Sequence, residues 1–142
     1  MAELSEFVEA QAAVWGDVIA ELRAGRKTTH WIWWVFPQLE TLGRSTRARH
    51  FGLSGVEEAS AYLAHPVLGP RLAEASALLL SHAGTPPETI LGSVDALKVR
   101  SSMTLFEATK APPPEVPEVL RQVYGGVRCS HTRDAIRGSA TG

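Results

Sequence analysis

No stretch of this 142-residue chain alternates apolar and polar residues over the length of a strand. Its apolar residues recur at three- and four-residue intervals, in runs closed by glycine or proline, and that pattern belongs to amphipathic helices. The first run is the clearest. Leu4, Phe7, Val8, Val14, Trp15, Val18 and Leu22 form one helical stripe, and Gly25 supplies the left-handed residue that commonly stops a helix. Gln11 falls on the same stripe, where an uncharged polar side chain must find a partner if it is buried. That partner is a neighbouring backbone group or a ligand.

The remaining punctuation predicts further short helices. "THWIWWVF" is apolar at nearly every position from Trp31 to Phe36; its aromatic content favours a strand, its helical surroundings a short helix capped by Thr28 or Thr29. Pro37 takes Phe36 out of helical geometry, so Gln38 opens a loop at the edge of the aromatic block. Ser45 is placed to cap a short helix stopped at Gly52, and Ser54 with Glu57 has capping-box spacing ahead of a helix closed by Pro66. Pro70 suits the first turn of the next helix, and Thr85 and Glu88 form a second capping box. From Ser93 no breaker intervenes until Pro112, which predicts a long helix with Val94, Leu97, Val99, Met103, Leu105 and Phe106 as its apolar side. A last helix ends at Gly125. The expected architecture is therefore all-α: one compact domain over residues 1–126, short helices around one long central helix, with residues 127–142 as an irregular tail.

Composition narrows the function classes. With 44% hydrophobic residues the chain is the size of one domain with one core. A net charge of -1 and a pI near 6.5 supply no overall field for phosphate, which argues against nucleic acid. Charge is uneven, however: Arg23, Arg26, Lys27, Arg44, Arg47 and Arg49 face one acid, Glu40, between Arg23 and Arg49. Such a run is a solvated basic face or an anion site. No apolar segment approaches the ~20 residues that span a bilayer, and "MAELSEFVEAQ" lacks a basic leader, so no membrane partner is expected and a cytoplasmic protein is the default. Cys129 is the lone cysteine and excludes an internal disulfide. The five histidines are scattered without metal-ligand spacing, and there is no glycine-rich phosphate loop or nucleophile elbow, so neither a metal nor a cofactor is expected.

What remains is polar chemistry beside aromatics. Asp95, Lys98, Ser101 and Ser102 share one face of the helix after Ser93. That face either looks into water or lines a pocket. In a pocket, Asp95 would hold Lys98, whose ammonium binds an anion or, desolvated, serves as a base or nucleophile, with Ser101 and Ser102 orienting the substrate. His30 has the right pKa for acid or base catalysis, although a histidine beside tryptophan is commonly a bonded core residue. Trp31 and Trp33 could stack on a flat ring or simply fill the core.

Three motifs, H-W-x-W-x-x-F-P-Q from His30, H-P-x-L-G-x-R-L from His65 and D-x-x-K-x-x-S-S-M-T-L-F from Asp95, occur in order between about Phe7 and Phe106. Together with "LGRS" they make the chain resemble a bacterial family catalogued as domain of unknown function 1810, whose members are often labelled calpastatin. The resemblance implies a small all-helical fold; it does not imply calpain inhibition. It maps onto Gln11, His30, Trp31, Trp33, Gln38, Ser45, Asp95, Lys98, Ser101 and Ser102 among other positions, and this strengthens the pocket reading. Near the end the chain departs from the family, with Cys129 where an acidic residue is usual. A fainter likeness, to the YbiA-type family linked to N-glycosidic bonds of nucleotide-like compounds, points in the same direction.

Two expectations follow. The first is a small enzyme acting on a planar, nucleotide-like or aromatic metabolite, with His30, Asp95 and Lys98 as catalytic groups and Gln11, Trp31, Trp33, Gln38, Arg44, Ser45, Ser101 and Ser102 binding the small-molecule ligand; N-glycosidic cleavage would use Asp95 and His30. The second is a non-catalytic binding or regulatory module whose basic run grips an anionic partner.

Overall fold

The computed structural model describes the backbone of residues 2–141 and the side chains of residues 2–138. Its elements are α1 (Leu4–Ala24), α2 (Ile32–Val35), a 3₁₀ turn (Glu40–Leu42), α3 (Thr46–His50), α4 (Val56–Ala64), α5 (Leu68–Leu80), α6 (Pro87–Leu91), α7 (Ser93–Glu107), α8 (Glu115–Gln122) and α9 (Ser130–Thr141). Among the described residues there is no strand, only an isolated parallel bridge between Leu39 and Leu53. The chain is a single all-α domain.

Local chemistry sets the helix ends. A capping box between Glu3 and Glu6 opens α1, and Gly25, at φ 71°, closes it. Ser45 Oγ accepts from the Ala48 amide at 3.1 Å and so caps α3. Elsewhere the expected caps shift by a residue: α4 starts behind Gly55, α6 behind Pro86 and α7 behind Gly92. The block from Trp31 settles as a single turn, α2, with neither Thr28 nor Thr29 capping it. The H-P-x-L-G motif is a joint between helices. His65 Nδ1 accepts from the Val67 amide at 3.1 Å, and a Cβ added to Gly69 would lie 2.2 Å from the Leu63 carbonyl oxygen.

The core is built on aromatic contacts between helices. Tyr62 of α4 is fully buried and packs edge-on against Phe7 of α1 at 5.4 Å and, with its ring tilted by 42°, against Phe106 of α7 at 5.3 Å. Each such side chain, buried whole, contributes on the order of 2–3 kcal/mol. The longest helix is α1, with 21 residues, and it packs on α2 and α5. The helix that meets the most neighbours is α7, of 15 residues, against α2, α4, α6, α8 and α9.

That encasement corrects the expected faces of α7. Val94 and Leu97, read as core, are 63% and 56% exposed, whereas Ser101, Ser102 and Thr104 are buried. The first two turns of α7 are covered on one side only; further along, neighbours enclose both the apolar and the polar stripe, so burial no longer follows periodicity. The tail is corrected as well. Residues after 126 do not stay irregular: α9 runs from Ser130 and packs on α7. Its inner side is Thr132, buried, with Ala135 and Ile136 half-buried, and it continues the buried Cys129 just before the helix; the stripe hides in the sequence because only Ile136 of these four is strongly apolar.

Candidate functional site

The site starts with a buried carboxylate that is not part of it. Glu21, near the end of α1, accepts the Thr28 and Thr29 amides at 2.7 and 2.8 Å, the Thr29 hydroxyl at 2.6 Å and the Trp31 indole N–H at 3.1 Å. Burial by itself raises the pKa of this carboxyl, but the hydrogen bonds outweigh it and hold the group below its ordinary value. The effect is to fold the α1–α2 loop tightly, which carries Lys27 inward.

Lys27 is the consequence. Its side chain is only 6% exposed; the ammonium donates to the Thr29 carbonyl at 2.6 Å, pairs with Asp95 Oδ2 at 2.9 Å and sits 4.9 Å from the Trp31 ring centre. Lys98 takes the other oxygen, Oδ1, at 3.6 Å, and lies 5.4 Å from the Trp33 ring centre. Arg47 is 5.2 Å from that same ring. Two ammonium groups thus share one carboxylate, and the cluster keeps an excess of positive charge next to an indole.

Lys98 opens onto a groove of about 670 Å³ between the 38–48 segment and the outer side of α7. Arg44, Lys98, Arg100 and His131 line it together with Gln38, Ser45, Ser101 and Cys129, and no carboxylate is among the lining residues described. Its floor is bonded: Ser101 Oγ and Thr132 Oγ1 share a hydrogen bond of 2.7 Å, and the Cys129 amide donates to Thr104 Oγ1 at 3.0 Å. Burial pushes the Cys129 thiol up, but hydrogen bonds from Thr132, Ser101 and the His131 amide outweigh that and bring it below the usual thiol value. Arg100 Nε is shielded from solvent without a hydrogen-bond acceptor among the described residues. A second, much smaller depression of about 10 Å³ adjoins the groove through Gln38, Ala48 and Lys98, and Trp33 and Phe36 wall it. It has room for about one water molecule.

The residues singled out by sequence divide accordingly. Gln38, Arg44, Ser45, Lys98 and Ser101 come together in the groove, with Trp33 beside it and Asp95 behind Lys98. Four do not join them. His30 is exposed and lines neither depression. Trp31 is fully buried against Glu21. Gln11 is buried 51 residues away in sequence from Tyr62, to whose hydroxyl it donates at 2.8 Å while also donating to the Trp34 carbonyl, so it locks α1 to α2 and α4. Ser102 is buried, with no partner for its hydroxyl among the described residues. Sequence reasoning missed Arg100 and His131 altogether and placed Lys27 only in a basic run; Arg100 stands on α7 itself, the folding of α9 onto α7 brings His131 to the groove, and the Glu21 loop sets Lys27 against Asp95 behind it.

Comparison with known proteins agrees with this architecture. A family model described as "Protein of unknown function (DUF1810)" matches residues 1–136. The chain belongs to that family. Because the DUF1810 match runs through residue 136, it takes in the start of α9 and the Cys129–Thr132 floor of the groove. Among solved structures, the chain is similar to the crystal structure of the conserved hypothetical protein Rv1873 from Mycobacterium tuberculosis, with 46% identity and a TM-score of 0.91 over 94% of this chain and 96% of that one. No curated protein matches it. No helix among the described residues is long and apolar enough to cross a membrane, and no group of three or more His, Cys, Asp or Glu there could hold a metal ion.

Proposed function

We propose that this protein binds a small anionic metabolite, one bearing a phosphate or a carboxylate, in the groove between the 38–48 segment and α7. The observation that carries the reading is the lining itself: Arg44, Lys98, Arg100 and His131 face one groove without an opposing acid among its described residues. Its volume falls within the range of roughly 300–1,000 Å³ typical of small-molecule sites. The unbonded Nε of Arg100 supports the same reading, because a shielded guanidinium donor calls for an acceptor. So does the charge surplus of Lys27 and Lys98 over Asp95.

The enzymatic reading, with Asp95 and His30 cleaving an N-glycosidic bond, draws less from this geometry. Asp95 is occupied by two ammonium groups at 2.9 and 3.6 Å, and His30 lies outside the groove. A carboxylate so engaged is poorly placed to steady a developing cation on a substrate.

The test is a thermal-shift and calorimetric screen at low salt with inorganic phosphate, nucleoside monophosphates and aromatic carboxylates. A ligand at a hundred times its Kd adds about 2.7 kcal/mol to stability. Arg44→Ser and Lys98→Met are expected to weaken binding about tenfold each, and added salt to weaken it further. A panel in which no anion shifts the melting point, or in which both variants bind as the parent does, refutes the proposal.

A further inference from the structure

Three large apolar side chains stand out as exposed among the described residues: Val94 at 63%, Leu97 at 56% and Val127 at 54%. Isolated exposed apolar residues are ordinary and carry no meaning alone. Two of these three are not isolated. Val94 and Leu97 sit one turn apart on the first half of α7, and both line the cationic groove, where Leu42 joins them from the 3₁₀ turn.

Position along α7 then gives the groove two unlike ends. Val94, Leu97 and Lys98, and Ser101 follow one another at helical spacing on one side of the helix, and from Val94 to Ser101 the rise is about 10 Å. The first end is hydrocarbon, with Val94 and Leu97. The second holds Ser101 with its Thr132 partner, and Cys129 and His131 come to the groove from the start of α9. An inorganic anion would use the charged part and leave Val94, Leu97 and Leu42 in water. A ligand with both characters would use the whole.

Building on the anion-binding reading above, we infer that the ligand is amphiphilic: an anionic head held by the groove's basic groups and an apolar body laid on Leu42, Val94 and Leu97. The chemical class is a carboxylic acid or phosphate monoester carrying an alkyl or aryl group. Charge complementarity fixes the head, because every charged residue described in the lining is basic. The exposed aliphatic wall fixes the body. A groove of about 670 Å³ suits a molecule of this kind better than the broad face of a partner protein, whose standard interface takes about 800 Å² from each side.

The experiment is a homologous series titrated below its micelle concentration: acetate to decanoate, and methyl to octyl phosphate, with inorganic phosphate as the head alone. Full burial of a methylene is worth about fourfold in affinity, so a half-open wall predicts about twofold per methylene, saturable at one ligand per chain. The exchange Leu97→Ser, alone and with Val94→Ser, should flatten that slope and leave the Kd for inorganic phosphate unchanged. Val127→Ser, an equally exposed site outside the groove, should leave the slope intact. Arg44→Ser should weaken every member by the same factor. Parallel behaviour of the two head groups supports the shared chemistry, and a preference for one names the natural head.

If inorganic phosphate and acetate bind but the wild-type slope is flat, the anion site stands and the amphiphilic ligand is refuted. A slope that survives Val94→Ser with Leu97→Ser refutes it too, since the body then lies elsewhere. Binding by no member, short or long, removes the anion site itself.

Discussion

Replacing Asp95 by asparagine separates a structural carboxylate from a reacting one. Asparagine keeps the shape and one carbonyl oxygen, so Lys27 retains an acceptor, but the charge that neutralises it is gone. Lys27 is 6% exposed, and besides that neutral oxygen it has the Thr29 carbonyl and the Trp31 ring, neither of which carries a full negative charge. Stripping the partner from a fully buried ion typically costs 3–5 kcal/mol; with Asp95 19% and Lys98 27% exposed, water screens part of that and about 2 kcal/mol is the expected loss. In a chain of this size that lowers the melting point by about 4–8 °C. Anion binding should move the other way. Removing one negative charge at ~8 Å from a solvated anion is worth about 0.5 kcal/mol, roughly a twofold gain in affinity at low salt. Urea unfolding with an unchanged m-value reads the first effect, and titration with inorganic phosphate reads the second. A variant as stable as the parent would refute the account of Lys27, and one that folds normally but no longer binds phosphate would show Asp95 touching the ligand.

The other predictions follow from the same contacts. Glu21→Gln should cost about 1–2 kcal/mol at neutral pH, since four hydrogen bonds lose their charge. Because the folded carboxyl is held below its ordinary 4.5, its contribution is present above that pH and lost as pH falls through the folded value, so the parent and variant stability curves should converge in acid. Gln11→Leu should cost about 2 kcal/mol by leaving the Tyr62 hydroxyl oxygen without its donor and the Trp34 carbonyl with only the long 3.4 Å bond from Tyr62, with phosphate affinity unchanged; a loss of affinity at full stability would return Gln11 to the site. Gly69→Ala should destabilise by about 2 kcal/mol or more, for its Cβ has nowhere to go beside Leu63, whereas Gly16→Ala on open space in α1 should stabilise by about 0.5–1 kcal/mol. Equal effects at the two glycines, read by urea unfolding, would refute the close-approach argument.

The sequence by itself determined the helical class, the breaks between helices, and the grouping of Gln38, Arg44, Ser45, Lys98 and Ser101 as candidates. These are local matters: a glycine in the left-handed region, as at Gly25, or a proline past the first turn closes a helix whatever lies around it, and residues three, four or seven apart share a face in any helix. Tertiary structure decided which face was inside. Val94 and Leu97 reached solvent and Ser101 and Ser102 did not, because burial on α7 depends on which neighbours cover each turn. It also decided who joined the groove. His131 arrives on a helix held to α7 by Thr132, 31 residues from its partner Ser101, and Lys27, outside the groove, reaches Asp95 behind Lys98 because Glu21 folds the loop that carries it; both pairings join segments far apart in sequence and are not written in spacing along the chain.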